Sequence, residues 1–164
     1  MTARKLLENI EADMLLTLIN HSKPNNKILG LESLGLSVWG YGMVLDLMGS
    51  SIIDVVTKVL NDEFGKPFEY ILDSDKKDFV SFLSYIQKEF LKASDLLNSL
   101  GNKKSSKGIN KMAKYGVIST YYAIDPNPLS WDALSKVPFV TMFVKLSIDE
   151  TVAEIREAEL KKMK

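Results

Sequence analysis

The stretch Ser74–Gly101, SDKKDFVSFLSYIQKEFLKASDLLNSLG, decides the fold class of this chain. Within it Phe79, Phe82, Leu83, Ile86, Phe90, Leu97 and Leu100 recur mostly at three- and four-residue steps, the spacing that puts side chains on one face of an α-helix. Ser74 stands where a hydroxyl can accept an orphan backbone N–H of the first turn, and Gly101 where a left-handed residue can close the last one. The spacing therefore predicts a helix over 75–100. Its long apolar face must be covered by neighbours, which predicts a mostly α, bundle-like domain with this helix as the central member.

Upstream, Leu6, Leu7, Ile10, Met14, Leu15, Leu18 and Ile19 alternate with Glu8, Glu11 and Asp13, predicting an amphipathic helix over 3–20 that stops before Pro24. Five of the nine glycines, Gly30, Gly35, Gly40, Gly42 and Gly49, then fall within 28–49. An interior glycine costs a helix about 1 kcal/mol, so this segment is either tightly packed or partly irregular. Ile52, Ile53, Val55, Val56, Val59, Leu60 and Phe64 return to helical spacing, closed by Gly65 and Pro67.

Downstream, 109–124 reads as helical with a strand-like tail over 117–122, and Asp125 to Pro128 as a turn. Ser130 is placed to cap a short helix containing Trp131 and Leu134. Pro138 suits the start of another helix containing Phe139, Met142, Phe143 and Leu146, although Val140, Met142, Val144 and Leu146 alternate equally well as a strand. Ser147 and Glu150 match a capping box, predicting a separate last helix from 148 to 163. Its stripe of Ile148, Val152 and Ile155 is thin, so its second half is either solvated or docked on something else. The expectation is one helical domain over 1–164, with about six helices and with 129–164 as a partner-docking C-terminal segment.

Composition narrows the function. The 164 residues carry 21 Lys plus Arg against 21 Asp plus Glu, and there is no Cys and one His. A zero net charge provides no global field toward nucleic acid or anionic membranes. Without Cys there is no disulfide, thiolate metal site or thiol nucleophile, which suits a cytoplasmic setting. The N-terminus meets Glu8, Glu11 and Asp13 before any apolar run of signal-peptide length, and the longest uncharged stretch, 33–45, has 13 residues, too few for a transmembrane helix.

No catalytic constellation emerges. His21, the single imidazole, sits in a helix-terminating turn and reads as a surface residue at a helix end. Gly40-Tyr-Gly42 lacks the third glycine of a dinucleotide fingerprint, and Gly30 with Gly35 is followed by Leu36-Ser37 where a phosphate loop needs Lys then Ser or Thr. Asp73, Asp75 and Asp78 open like a calcium loop, but its central glycine and twelfth-position glutamate are absent. The expectation is no enzyme, no metal and no cofactor. One local charge imbalance stands out. No acid occurs between Asp95 and Asp125, while Lys103, Lys104, Lys107, Lys111 and Lys114 do, beside Tyr115, Tyr121 and Tyr122. That segment would suit phosphate contact, so nucleic-acid association is the alternative function.

Ser130-Trp-Asp-Ala-Leu-Ser-Lys-Val-Pro-Phe139, after Asn127-Pro128 and before a charged C-terminal helix, resembles the Trp-then-Pro-aromatic segment of small tail-assembly and virion proteins of tailed bacteriophages. The resemblance covers ten residues. It implies a non-catalytic structural or assembly role and a virion as the alternative location, with Trp131, Pro138 and Phe139 as packing anchors. Trp131, Phe139 and Phe143 also stand in a Pro-punctuated region whose short helices offer little cover, and aromatics dominate interface energies. They are the expected partner-binding residues, the partner being another protein or a further copy of the chain.

Overall fold

The computed structural model describes residues 1–101 and 117–162 and is mostly α-helical. Eight helices occur among the described residues: α1 (Ala3–Leu7), α2 (Ala12–His21), α3 (Tyr41–Leu47), α4 (Ile52–Phe64), α5 (Lys76–Gly101), α6 (Val117–Ile124), α7 (Trp131–Lys136) and α8 (Phe139–Lys162). One antiparallel pair, β1 (Lys27–Ile28) with β2 (Leu31–Glu32), accompanies them. None of these helices is long and apolar enough to cross a membrane. The chain forms two compact units, one of Met1–Val38 with Leu47–Lys92 and the other of Trp39–Asp46 with Ala93–Lys164.

In the first unit, α5 contributes Phe79, Val80, Phe82, Leu83 and Ile86 to the interior, the stripe expected from spacing. Its start lies one residue beyond the expected cap. Asp75 accepts the Lys77 N–H at 2.8 Å, whereas Ser74 is buried with its hydroxyl donating to the Ile71 carbonyl at 2.7 Å. At the other end Gly101 still belongs to the helix instead of closing it. α4 closes at Gly65 as expected, and its start is capped by Ser51. Ser51 Oγ accepts the Asp54 N–H and donates to the Asp54 carboxylate, and Gly65, at φ +62°, is left-handed with its N–H on the Asn61 carbonyl. The β-branched Val55, Val56 and Val59, with Leu60, are its buried face.

The helix expected over 3–20 is two helices. The N–H groups of Ala3 and Arg4, which no helix could satisfy, bond the Ser74 and Leu72 carbonyls, while Lys76 N–H bonds the Met1 carbonyl. Asn9 then ends α1 by donating its side-chain amide to the Lys5 carbonyl at 2.7 Å, and Glu11 is extended at ψ 151°. A local side-chain bond of this kind competes directly with continuation of the helix. Between α2 and α3, the glycine-rich segment contains a hairpin whose turn residues Leu29 and Gly30 both have positive φ, +45° and +79°. That is the handedness a tight hairpin turn requires.

In the second unit, 117–122 is helical, not strand-like, and 139–146 is helical. Ser130 does not cap α7; its hydroxyl donates to the Asn127 carbonyl, and Asn127 itself accepts the Leu129 N–H in the turn after Asp125. The separate helix expected from 148 does not exist. α8 runs unbroken for 24 residues through Ser147, whose hydroxyl donates to the Phe143 carbonyl four residues back instead of starting a new helix.

Phe82 is fully buried, whereas Met14, equally apolar, is 61% exposed. Phe82→Ala should therefore lower stability by about 3–5 kcal/mol in chemical denaturation, and Met14→Ala should leave it within the scatter of surface substitutions. Equal effects of the two would contradict this placement of the core.

Candidate functional site

The second unit is built on a short exchange of backbone bonds. Tyr41 N–H donates to the Val137 carbonyl and Phe139 N–H to the Trp39 carbonyl, each at 2.8 Å, making an antiparallel bridge between Gly40 and Pro138. Pro138 has no N–H to lose, and its fixed φ suits the residue before a helix. The bridge seats Phe139 against Tyr41, ring centroids 5.7 Å apart and stacked, and Tyr121 meets Tyr41 edge-on at 6.3 Å and stacks on Trp131 at 6.3 Å. The Trp131 indole N–H donates to the Asp125 carbonyl at 2.9 Å.

Two glycines make this approach possible. A Cβ on Gly40 would lie 2.7 Å from the Ser135 carbonyl oxygen, and one on Gly42 would lie 2.5 Å from the Tyr121 hydroxyl and 2.6 Å from Ser135 Cβ. Close packing thus accounts for these two, while Gly30, Gly35 and Gly49 serve positive φ. Burial, then the neighbouring Tyr121, pushes the Tyr41 phenol from its ordinary 10 up to about 12.

This geometry sorts the expected partner-binding residues. Phe139 is completely buried inside the unit and offers nothing to a partner, and Trp131 and Phe143 are half-buried, Trp131 being engaged by Tyr121 and Asp125. Pro138 and Phe139 pack within the unit. The basic segment, Lys103, Lys104, Lys107, Lys111 and Lys114, lies outside the described residues.

The exposed surface is the other side of α8. At about 100° per residue, Val140, Val144, Ile148, Val152 and Ile155 fall within an arc of about 120°, opposite the arc of Phe139, Met142, Phe143 and Leu146. The five are between 39% and 57% exposed. Thr141, Thr151 and Ala158 share their face and are also exposed, so the arc carries no charge from 140 to 158. From Thr151 to Lys162 every residue is exposed, all the way round the helix. One helix therefore carries two apolar faces, and the fold covers one. The spacing of Ile148, Val152 and Ile155 was legible in the sequence; its continuation back through Val144 and Val140 was hidden by the false helix start at Ser147.

A polar cluster in the first unit has a different role. Ser33, fully buried, donates its hydroxyl to Glu63 at 2.8 Å, and the other Glu63 oxygen accepts the Leu34 N–H at 2.7 Å. Glu89 accepts the Leu36 N–H at 3.2 Å, and the Tyr85 hydroxyl, its pKa raised by burial and by Glu89, bonds the Ser33 carbonyl at 3.4 Å. A serine on a carboxylate is half of a nucleophile–base pair, but Ser33 Oγ also accepts the Gly35 N–H and is sealed from solvent. These carboxylates clamp the 33–36 loop. His21 ends α2, exposed, with its Nδ1–H on the Thr17 carbonyl at 2.7 Å. Among the described residues no group of three or more His, Asp or Glu side chains could hold a metal ion. A groove of about 550 Å³ beside α1 and α2 is floored by Leu6, Ile10, Met14 and Leu18. The Asn9 amide and Thr17 hydroxyl in its wall already bond carbonyls of their own helices.

No protein-family model matches the chain, and neither the curated proteins nor the solved structures contain a significant match to it.

Two outcomes follow from the geometry of the second unit. Because the folded state holds the Tyr41 proton more tightly than the unfolded chain does, its contribution to stability is intact below pH 10 and is lost as pH rises toward 12. Tyr41→Phe should remove that part of the alkaline destabilisation, measured as Tm against pH. Gly42→Ala should cost about 1–3 kcal/mol through overpacking against Ser135; an unaltered Tm would show that α7 yields freely there.

Proposed function

We propose that this chain is a non-catalytic structural or assembly protein that works by binding another protein chain along the outer face of α8. The observation that carries this reading is the uncharged, exposed row of Val140, Val144, Ile148, Val152 and Ile155 on a helix that is solvated on every side from Thr151 onward. A helical segment of about twelve residues is marginal in water unless tertiary packing supports it. Contiguous apolar surface of this kind marks interaction sites. A partner that covers the row removes the apolar area from water and supports the projecting half of the helix at once.

The role agrees with what the resemblance of Ser130–Phe139 to phage tail-assembly and virion proteins implies, and in this reading that segment seats α8 without touching the partner. The face, not the aromatic trio, is the binding element.

Ile148→Glu places a charge in the middle of the row at an exposed position, so the core should stay folded, with any loss of circular dichroism signal confined to the half of α8 that association supports. Association of the full chain, with itself by light scattering or with a co-purifying protein partner by pull-down, should be lost. Association of wild-type strength in the variant would refute the reading.

A further inference from the structure

We propose that the partner on this face is a second copy of the same chain, its α8 packed antiparallel, with the two-fold axis level with Ala153. The inference rests on the reading of α8 as a protein contact. It adds the identity and direction of the partner.

The argument is one of charge complementarity. Val144, Ile148, Thr151, Ile155 and Ala158 occupy successive three- and four-residue positions, the seam of a two-helix contact. In antiparallel pairing about the stated axis, Ile148 stacks on Ala158 of the second copy and Thr151 on its Ile155. One flank then places Lys145 opposite Glu159 of the second copy, twice by symmetry, and Val152 opposite Val152. The other flank brings Glu154 to its own copy, one like-charge contact. A parallel pair with the same seam sets Glu154 against Glu159 of the second copy, twice, with no attractive pair to offset it. Opposite charges across helices set partner choice and orientation, so the antiparallel arrangement wins. An isologous contact of this kind closes at two chains and leaves no unsatisfied face to propagate.

Lys145 also bonds the Asp149 carboxylate of its own helix, an exposed pair of the sort that contributes little. Asp149→Asn removes that bond alone and serves as the control for changes at Lys145.

The experiment is sedimentation velocity of the purified full chain over a range of concentrations, combined with a charge exchange. Wild type should form dimers, and Ile148→Glu should be monomeric. Lys145→Glu and Glu159→Lys should each weaken the dimer by about tenfold, the double variant should recover wild-type dimerisation, and Asp149→Asn should leave it unaltered. Since the chain has no cysteine, orientation can be read by oxidation. A mixture of Ile148→Cys and Ala158→Cys chains should give the mixed disulfide, while Ile148→Cys alone should not cross-link. A wild-type chain that stays monomeric overturns the second-copy inference while leaving the contact face to be judged by Ile148→Glu against other proteins. A dimer indifferent to Ile148→Glu overturns both. Cross-linking of Ile148→Cys with itself, or singles that the double variant does not rescue, overturns the antiparallel register.

Discussion

Two backbone hydrogen bonds, Tyr41 N–H to Val137 and Phe139 N–H to Trp39, govern what α8 can do. They fix the first turn of the helix against the bridge residue Gly40 and the start of α3, and thereby choose which of its faces is buried. Phe139 and Met142 are committed to the interior, and the stack on Tyr41 follows from their placement. The absence of side chains at Gly40 and Gly42 is the precondition, because a methyl at either position would collide with Ser135. Everything functional in this reading follows from that orientation. Rotated by half a turn, the same helix would bury Val140 and Val144 and leave its aromatic side in water.

The first unit is held by a different economy. Its core is apolar, drawn from α1, α2, α4 and α5, but the loop 33–36 is held by charge. Glu63 and Glu89 each accept backbone N–H groups that no helix or strand would satisfy. Hydrogen bonds to a carboxylate are stronger than neutral ones, and an unpaired buried amide is expensive, so two such clamps can hold a loop that contains a positive-φ glycine. These acids are committed to structure by that task, which is why the strongest polar cluster in the unit does not read as a reaction centre.

A helix with apolar residues on opposite sides is under two demands. The fold answers one and leaves the other exposed, and the proposed assembly role would answer it with a second chain. The C-terminal half of α8 sharpens this point. It is exposed on every side and carries exposed ion pairs such as Glu157 with Lys161, and pairs of that kind contribute a few tenths of a kcal/mol. In the proposed role, covering the row from Val140 to Ile155 would supply what these pairs cannot.

By itself the sequence determined the helical class, the stripe of α5, the close of α4 at Gly65, the turn after Asp125 and the exposed end of α2 at His21. All of these depend on local periodicity, turn residues or a left-handed glycine, which are properties of a few consecutive residues. Tertiary structure alone decided the hairpin at Leu29 and Gly30, the continuity of α8 through Ser147 and the burial of Phe139. Ser147 and Glu150 are a sound local signal for a helix start, and so the sequence reading divided α8 there. A helix already nucleated at Phe139 extends through Ser147 at one bond per residue, whereas a fresh start would incur nucleation again. For the same reason the exposed apolar row was only half visible. Its row is continuous once the helix is, and that continuity is set by Trp39, about a hundred residues away in sequence.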